Sequence, residues 1–278
     1  MIKKILVGID TSEHSRNAQA YAFHFARQFE ASLVGLHVVD IVSIEGSFFH
    51  DISGSLGLEP YLDFSSKMRE ALTERGRVVM EEFAAAAKRE NLTVETVLDM
   101  GIVANQICDR ARGVDLVMIG HRGVNERFST GLLGSTAESV ARKCPRPVFI
   151  SPIGFREIAR PVLAYDGSER SAHAMRAAAE FSNATGKPLT VITVARDPKL
   201  GERTLAEART YFEPYTPKAE FKLISGYAHE EIVKYLKKND SDLLFIGAYG
   251  HSRIIEMVLG STTEYVLRNS PCPVFLSR

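Results

Sequence analysis

The chain has no tryptophan and no net charge, and its 34 Lys and Arg side chains balance 34 Asp and Glu. Binding a nucleic-acid backbone takes a local excess of Lys and Arg, so no nucleic-acid partner is expected. No apolar run nears the roughly 20 residues needed to span a bilayer, so no membrane partner is expected either. The first residues run almost directly into an apolar strand-like segment without a charged and apolar leader, which predicts a protein of the cytoplasm. Three cysteines, Cys108, Cys144 and Cys272, form neither a metal-ligand spacing nor a Cys-x-x-Cys pair. They read as small packing residues.

Against these absences stand two glycine-rich cassettes. The first runs from Gly120 to Gly123 and, ten residues on, to Gly134, Ser135 and Thr136. The second runs from Gly247 to Gly250 and, nine residues on, to Gly260, Ser261 and Thr262. Each follows an apolar run, leads into a helical pattern and is closed by a Pro-x-Pro, at Pro145 to Pro147 and at Pro271 to Pro273. The surrounding elements match in the same order. Ile5 to Asp10 pairs with Val162 to Asp166, Ser32 to Val39 with Leu189 to Val194, and Leu116 to Ile119 with Leu243 to Ile246. Apolar strands alternating with helices predict a parallel sheet covered on both faces. With 278 residues, the chain divides into two domains, 1–154 and 155–278, at the Pro and Gly punctuation near Ser151 to Gly154.

The repeats differ in the middle. The first carries an apolar, glycine-rich segment, Ile44 to Tyr61, and then a long helix over about Ser66 to Glu90. The second keeps a short helical piece near Leu205 to Phe212. The first segment is expected to cover a groove, to join two chains, or to pack on its own helix.

Helix N-termini leave backbone N–H groups without partners and favour an anion. Gly134 and Gly260 precede such starts, and a glycine there lets a phosphate approach the backbone or takes a positive φ. The same positions admit a structural reading, because Ser135 to Glu138 and Ser261 to Glu264 have the form of capping boxes. Asp10 and Asp166 fall at the strand ends where open parallel sheets hold ligands. His37, His121 and His251 lie near these ends and read chiefly as hydrogen-bonding groups. His50 and Asp51 lack partners that would make a metal site. There is no Walker A lysine, so fast phosphoryl transfer is not expected.

The glycine spacing, the Asp10-Thr-Ser-Glu-His-Ser15 and Asp166-Gly-Ser-Glu-Arg-Ser171 openings and the Pro-x-Pro closures resemble the universal stress protein family, in a tandem form. The second cassette matches the family pattern fully and the first has one residue too many. The resemblance covers essentially the whole chain. It implies an α/β fold of two Rossmann-like domains of the adenine nucleotide alpha hydrolase type. Each has an open five-stranded parallel sheet of order 3-2-1-4-5 with helices on both faces. It further implies pairing of the two repeats through their last strands, as in a family dimer, with a homodimer of chains optional. By the same resemblance ATP, with Mg2+ as an optional companion, is bound by Asp10 and Val38 on the adenine side and by Gly120, Gly123, Gly134, Ser135 and Thr136 around ribose and phosphates. In the second repeat the matching positions are Asp166, Val194, Gly247, Gly250, Gly260, Ser261 and Thr262. The unbroken spacing favours the second repeat slightly as the binder, with both repeats expected to be competent. The expected role is ATP binding in stress response or signalling without fast turnover. A scaffold without nucleotide and a slow ATPase or nucleotidyl-transfer enzyme are the alternatives.

Overall fold

The structure, a computed structural model, describes residues 2–41, 61–123, 133–248 and 260–278, with the backbone alone for 61–65. The apolar segment over 44–60, whose role is an expectation from the sequence, and with it His50 and Asp51, lies outside the described residues, as do Gly250 and His251. The first half contains β1 (Lys4–Gly8), α1 (Glu13–Phe29), β2 (Ser32–Asp40), α2 (Tyr61–Arg89), β3 (Val94–Gly101), α3 (Val103–Ala111), β4 (Leu116–Gly120), α4 (Ser135–Lys143) and β5 (Val148–Ser151). The second half contains β6 (Pro161–Ala164), α5 (Glu169–Thr185), β7 (Thr190–Ala195), α6 (Pro198–Phe212), β8 (Glu220–Ser225), α7 (Ala228–Lys238), β9 (Leu243–Gly247), α8 (Ser261–Asn269) and β10 (Val274–Ser277).

Each half has the strand order 3-2-1-4-5, and the halves join into one sheet, β3-β2-β1-β4-β5-β10-β9-β6-β7-β8. Neighbours within each half are parallel. The junction alone is antiparallel, with Val274 opposite Ile150, Phe275 opposite Phe149 and Leu276 opposite Val148. A strand buried on both faces must be apolar at successive positions, which is why β4, β5, β9 and β10 are buried almost throughout. Ile5, Met118, Phe149, Leu163 and Phe245 pack against α1, α2, α5 and α6 on one face. Leu6, Val117, Val148, Leu244 and Leu276 pack against α3, α4, α7 and α8 on the other. Both core layers run through both halves.

Local chemistry explains the element ends. Ser12 Oγ accepts the Ser15 N–H at 3.1 Å and Ser168 Oγ accepts the Ser171 N–H at 3.2 Å, capping α1 and α5. Asp115 accepts the N–H groups of Lys3 and Lys4 at 2.8 and 2.9 Å, and fixes the entry to β1. Asp242 does the same ahead of β6, accepting from Ala159 and Arg160 at 2.8 Å while it is 2% exposed. The helix α6 begins seven residues before the expected Leu205, because Asp197 caps it and Pro198 supplies its first turn. Gly201 lies inside that added stretch. A Cβ there would meet Leu223 Cδ1 at 2.5 Å, so the glycine lets α6 lie close on β8. Gly76 serves α2 in the same way, against Leu98 at 2.7 Å and the His37 ring at 2.8 Å.

Of the cysteines, Cys144 and Cys272 are buried and Cys108 is half-buried, all as free thiols. Burial pushes the Cys272 thiol up to about 12. This is the packing role expected of them.

Candidate functional site

The carboxyl ends of β1, β2 and β4 open into a cleft of about 680 Å³ in the first half. Asp10, Val38, Gly120, Gly123, Gly134, Ser135 and Thr136 all line it. Asp10 is held at the β1 end by two bonds. Its Oδ1 accepts the Ser12 N–H at 2.7 Å, and its own N–H donates to Ser15 Oγ at 2.8 Å. A Cβ on Gly123 would lie 3.2 Å from Asp10 Oδ2, so this second oxygen faces the cassette. The His37 ring donates from Nδ1 to the Ile9 carbonyl at 2.8 Å. His121 donates from Nε2 to the Leu267 carbonyl at 2.7 Å. Both histidines therefore serve as hydrogen-bonding groups, as the sequence suggests. The wall opposite comes from α2, through Leu72 and Arg75, and Arg75 Nη2 donates to Thr11 Oγ1 at 3.2 Å.

The cassette glycines have two separate causes. A Cβ on Gly120 would fall 2.6 Å from His14 Cβ, and one on Gly247 would fall 2.8 Å from the Arg170 carbonyl carbon. These two glycines let the first turn of α1 or α5 sit on the strand end. Gly134 and Gly260 are the N-caps of α4 and α8, and neither takes the positive φ considered above, since their φ values are −61° and −59°. Close approach is the reason at Gly134, where a Cβ would meet Arg122 Cα at 3.1 Å and the His121 oxygen at 3.2 Å.

The capping-box reading fails. Ser135 and Ser261 are the first helical residues rather than the caps, and neither helix start has a side-chain cap bond. Glu138 turns instead to Arg142, and Glu264 to Arg268. The chain caps α1, α5 and α6 with Ser12, Ser168 and Asp197, and starts α3 and α7, like α4 and α8, without a side-chain cap bond. At α4 it leaves first-turn donors uncapped, and Gly134 to Ala137 border the cleft. Such a start is suited to an anion.

The second half is not equivalent. Asp166, Val194, Gly247 and Thr262 line a cleft of about 80 Å³, and Gly260 and Ser261 do not border it. Ala164 and Tyr165 stand where the first half has Gly8 and Ile9. The buried Tyr165 hydroxyl donates to Glu207 at 3.4 Å, and its pKa is raised by burial and then by that carboxylate. The shorter α6 contributes no counterpart to Leu72 and Arg75 among the residues lining this cleft. Cavity volume thus orders the repeats opposite to motif spacing. Arg75 and Leu72 were not legible beforehand as site residues. Nor was Arg268, which reaches the first cleft from α8.

Comparison with known proteins agrees with this architecture. The profile of the universal stress protein family matches residues 1–152 and 198–278. Universal stress protein Slr1230 of Synechocystis is 29% identical over 288 residues, covering 100% of both chains. Universal stress protein MJ0577 of Methanocaldococcus jannaschii is 29% identical over 154 residues, covering 54% of this chain and 94% of that protein. The solved structure of a universal stress protein from Archaeoglobus fulgidus superposes with a TM-score of 0.76 at 23% identity, covering 99% of this chain and 98% of the other, which shows the shared fold. With the family profile matched on both halves and a relative aligned end to end, the chain belongs to the universal stress protein family, in its tandem form.

Proposed function

We propose that the chain binds an adenine nucleotide, ATP with or without Mg2+, in the cleft of the first repeat, and acts in stress response or signalling without fast turnover. The observation that carries this reading is the convergence of all seven first-repeat positions on one cleft of about 680 Å³. That is the size range of small-molecule sites, about 300–1,000 Å³. Asp10 and Val38 bound its adenine side and the uncapped start of α4 its phosphate side. Slow or absent turnover is supported by the cassettes' lack of a Walker A lysine to act on a γ-phosphate. The stress role rests on family membership.

In this reading the domains are 1–154 and 155–278, and they pair within one chain. The second domain, whose cleft is about 80 Å³, serves as the structural partner. The test combines mass spectrometry of ligands released from the purified protein with calorimetry. ATP is expected to bind at one site per chain. Gly134→Val should abolish that binding, and Gly260→Val should leave it intact. The absence of both a co-purified nucleotide and any heat at millimolar ATP would leave a scaffold as the better reading.

A further inference from the structure

The first cleft is not built from the first repeat alone. Arg268, in the last turn of α8, belongs to the second repeat and lines it. Its guanidinium is held on the helix by Glu264 Oε1, 2.6 Å from Nη2. That pairing occupies one end of the fork. The side chain is still 33% exposed and borders the cleft, and because its Nε–H is buried against protein, the terminal Nη nitrogens are the donors that can reach a ligand there.

The helix is also tied to the cassette. His121 donates from Nε2 to the Leu267 carbonyl, the residue next to Arg268. The His121 carbonyl accepts the N–H of Gly134, the cap of α4, at 3.0 Å. Arg268 is therefore registered against the anion-suited end of the cleft. The first repeat has the same helical pairing, Arg142 with Glu138, but not the reach into the other repeat's cleft. Ala248 replaces His121 in the second repeat and has no side-chain donor, and Arg142, the counterpart of Arg268, does not line the second cleft.

We infer that Arg268 donates in trans, across the repeat junction, to the phosphate chain of a nucleotide in the first cleft, so that it selects for adenine nucleotides with several phosphates. An arginine fork binds phosphate oxygens in a fixed geometry. This inference rests on the nucleotide reading above and adds the second repeat to the site.

Calorimetry with adenosine, AMP, ADP and ATP on the full chain tests it. Arg268→Gln should weaken ATP binding roughly 10- to 100-fold and leave adenosine unchanged. Arg268→Lys should recover part of the loss. Thermal melts of both variants report folding, and equal losses for adenosine and ATP would mean a structural role and overturn the inference. ATP affinity unchanged in Arg268→Gln also overturns it. If Gly134→Val still abolishes ATP binding in that case, the nucleotide reading survives. If the native chain binds none of the four ligands, both fail together.

Discussion

His24 stands at the inner side of α1 with its ring 5.9 Å from that of Phe155, in the segment that joins the halves. Burial, with Arg27 adding to it, lowers its pKa below the ordinary 6.5. The unfolded chain then takes up a proton at this residue before the folded one does. Stability therefore holds above about pH 6.5 and is lost as pH falls through and below it. Urea unfolding of the native chain and of His24→Gln at about pH 7 and about pH 5 measures the contribution. The variant should lose less stability on acidification, and identical losses would remove His24 as a contributor. The cysteines, by contrast, were readable from their isolation alone. Cys108 is lowered chiefly by a hydrogen bond with Cys144, and that same contact, with burial, holds Cys144 far above the usual thiol range.

Among the elements, the strands were legible because burial on both faces demands unbroken apolar runs, as in Leu243 to Ile246. What escaped depends on neighbours that are distant in sequence. The helix over about Ser66 to Glu90 is expected through Gly76, but why Gly76 and Gly201 must be glycine shows only once β2, β3 and β8 lie against them. Ser135 reads as a cap until Gly134 proves to occupy that position, a shift of one residue that frees the helix start. The cleft walls from α2 and α8 follow only from tertiary packing. The strand-entry carboxylates were missed for the same reason, and they give a prediction. Asp242→Ala removes a 2%-exposed carboxylate and leaves two part-buried backbone donors without it, and should cost about 1–3 kcal/mol in denaturant unfolding. Asp115→Ala should cost less, since it removes the same bonds at a half-exposed site. A larger loss at Asp115 would contradict this assignment of burial as the deciding factor.

For the whole molecule, the decisive feature is that both core layers cross from one half to the other. Phe25 and Phe181, from α1 and α5, stand 5.8 Å apart, and Phe149 is fully buried between the rings of Tyr21 and Phe25. The two halves should therefore unfold together, in one transition seen identically by far-ultraviolet circular dichroism and tyrosine fluorescence. Phe149→Ala should lower the stability of that single transition by about 3–5 kcal/mol. Two separated transitions would show that the layers are joined in space but not in energy. The antiparallel β5–β10 junction has a further consequence. Were the two halves separate chains, this edge would be open to whichever copy arrived. Here residues 152–160 tether the partner, which keeps its effective concentration near the millimolar range of short linkers whatever the cell's supply of similar chains. The strand that would recruit a stranger is already taken, so the fusion makes the pairing exclusive and insulates it from subunit exchange.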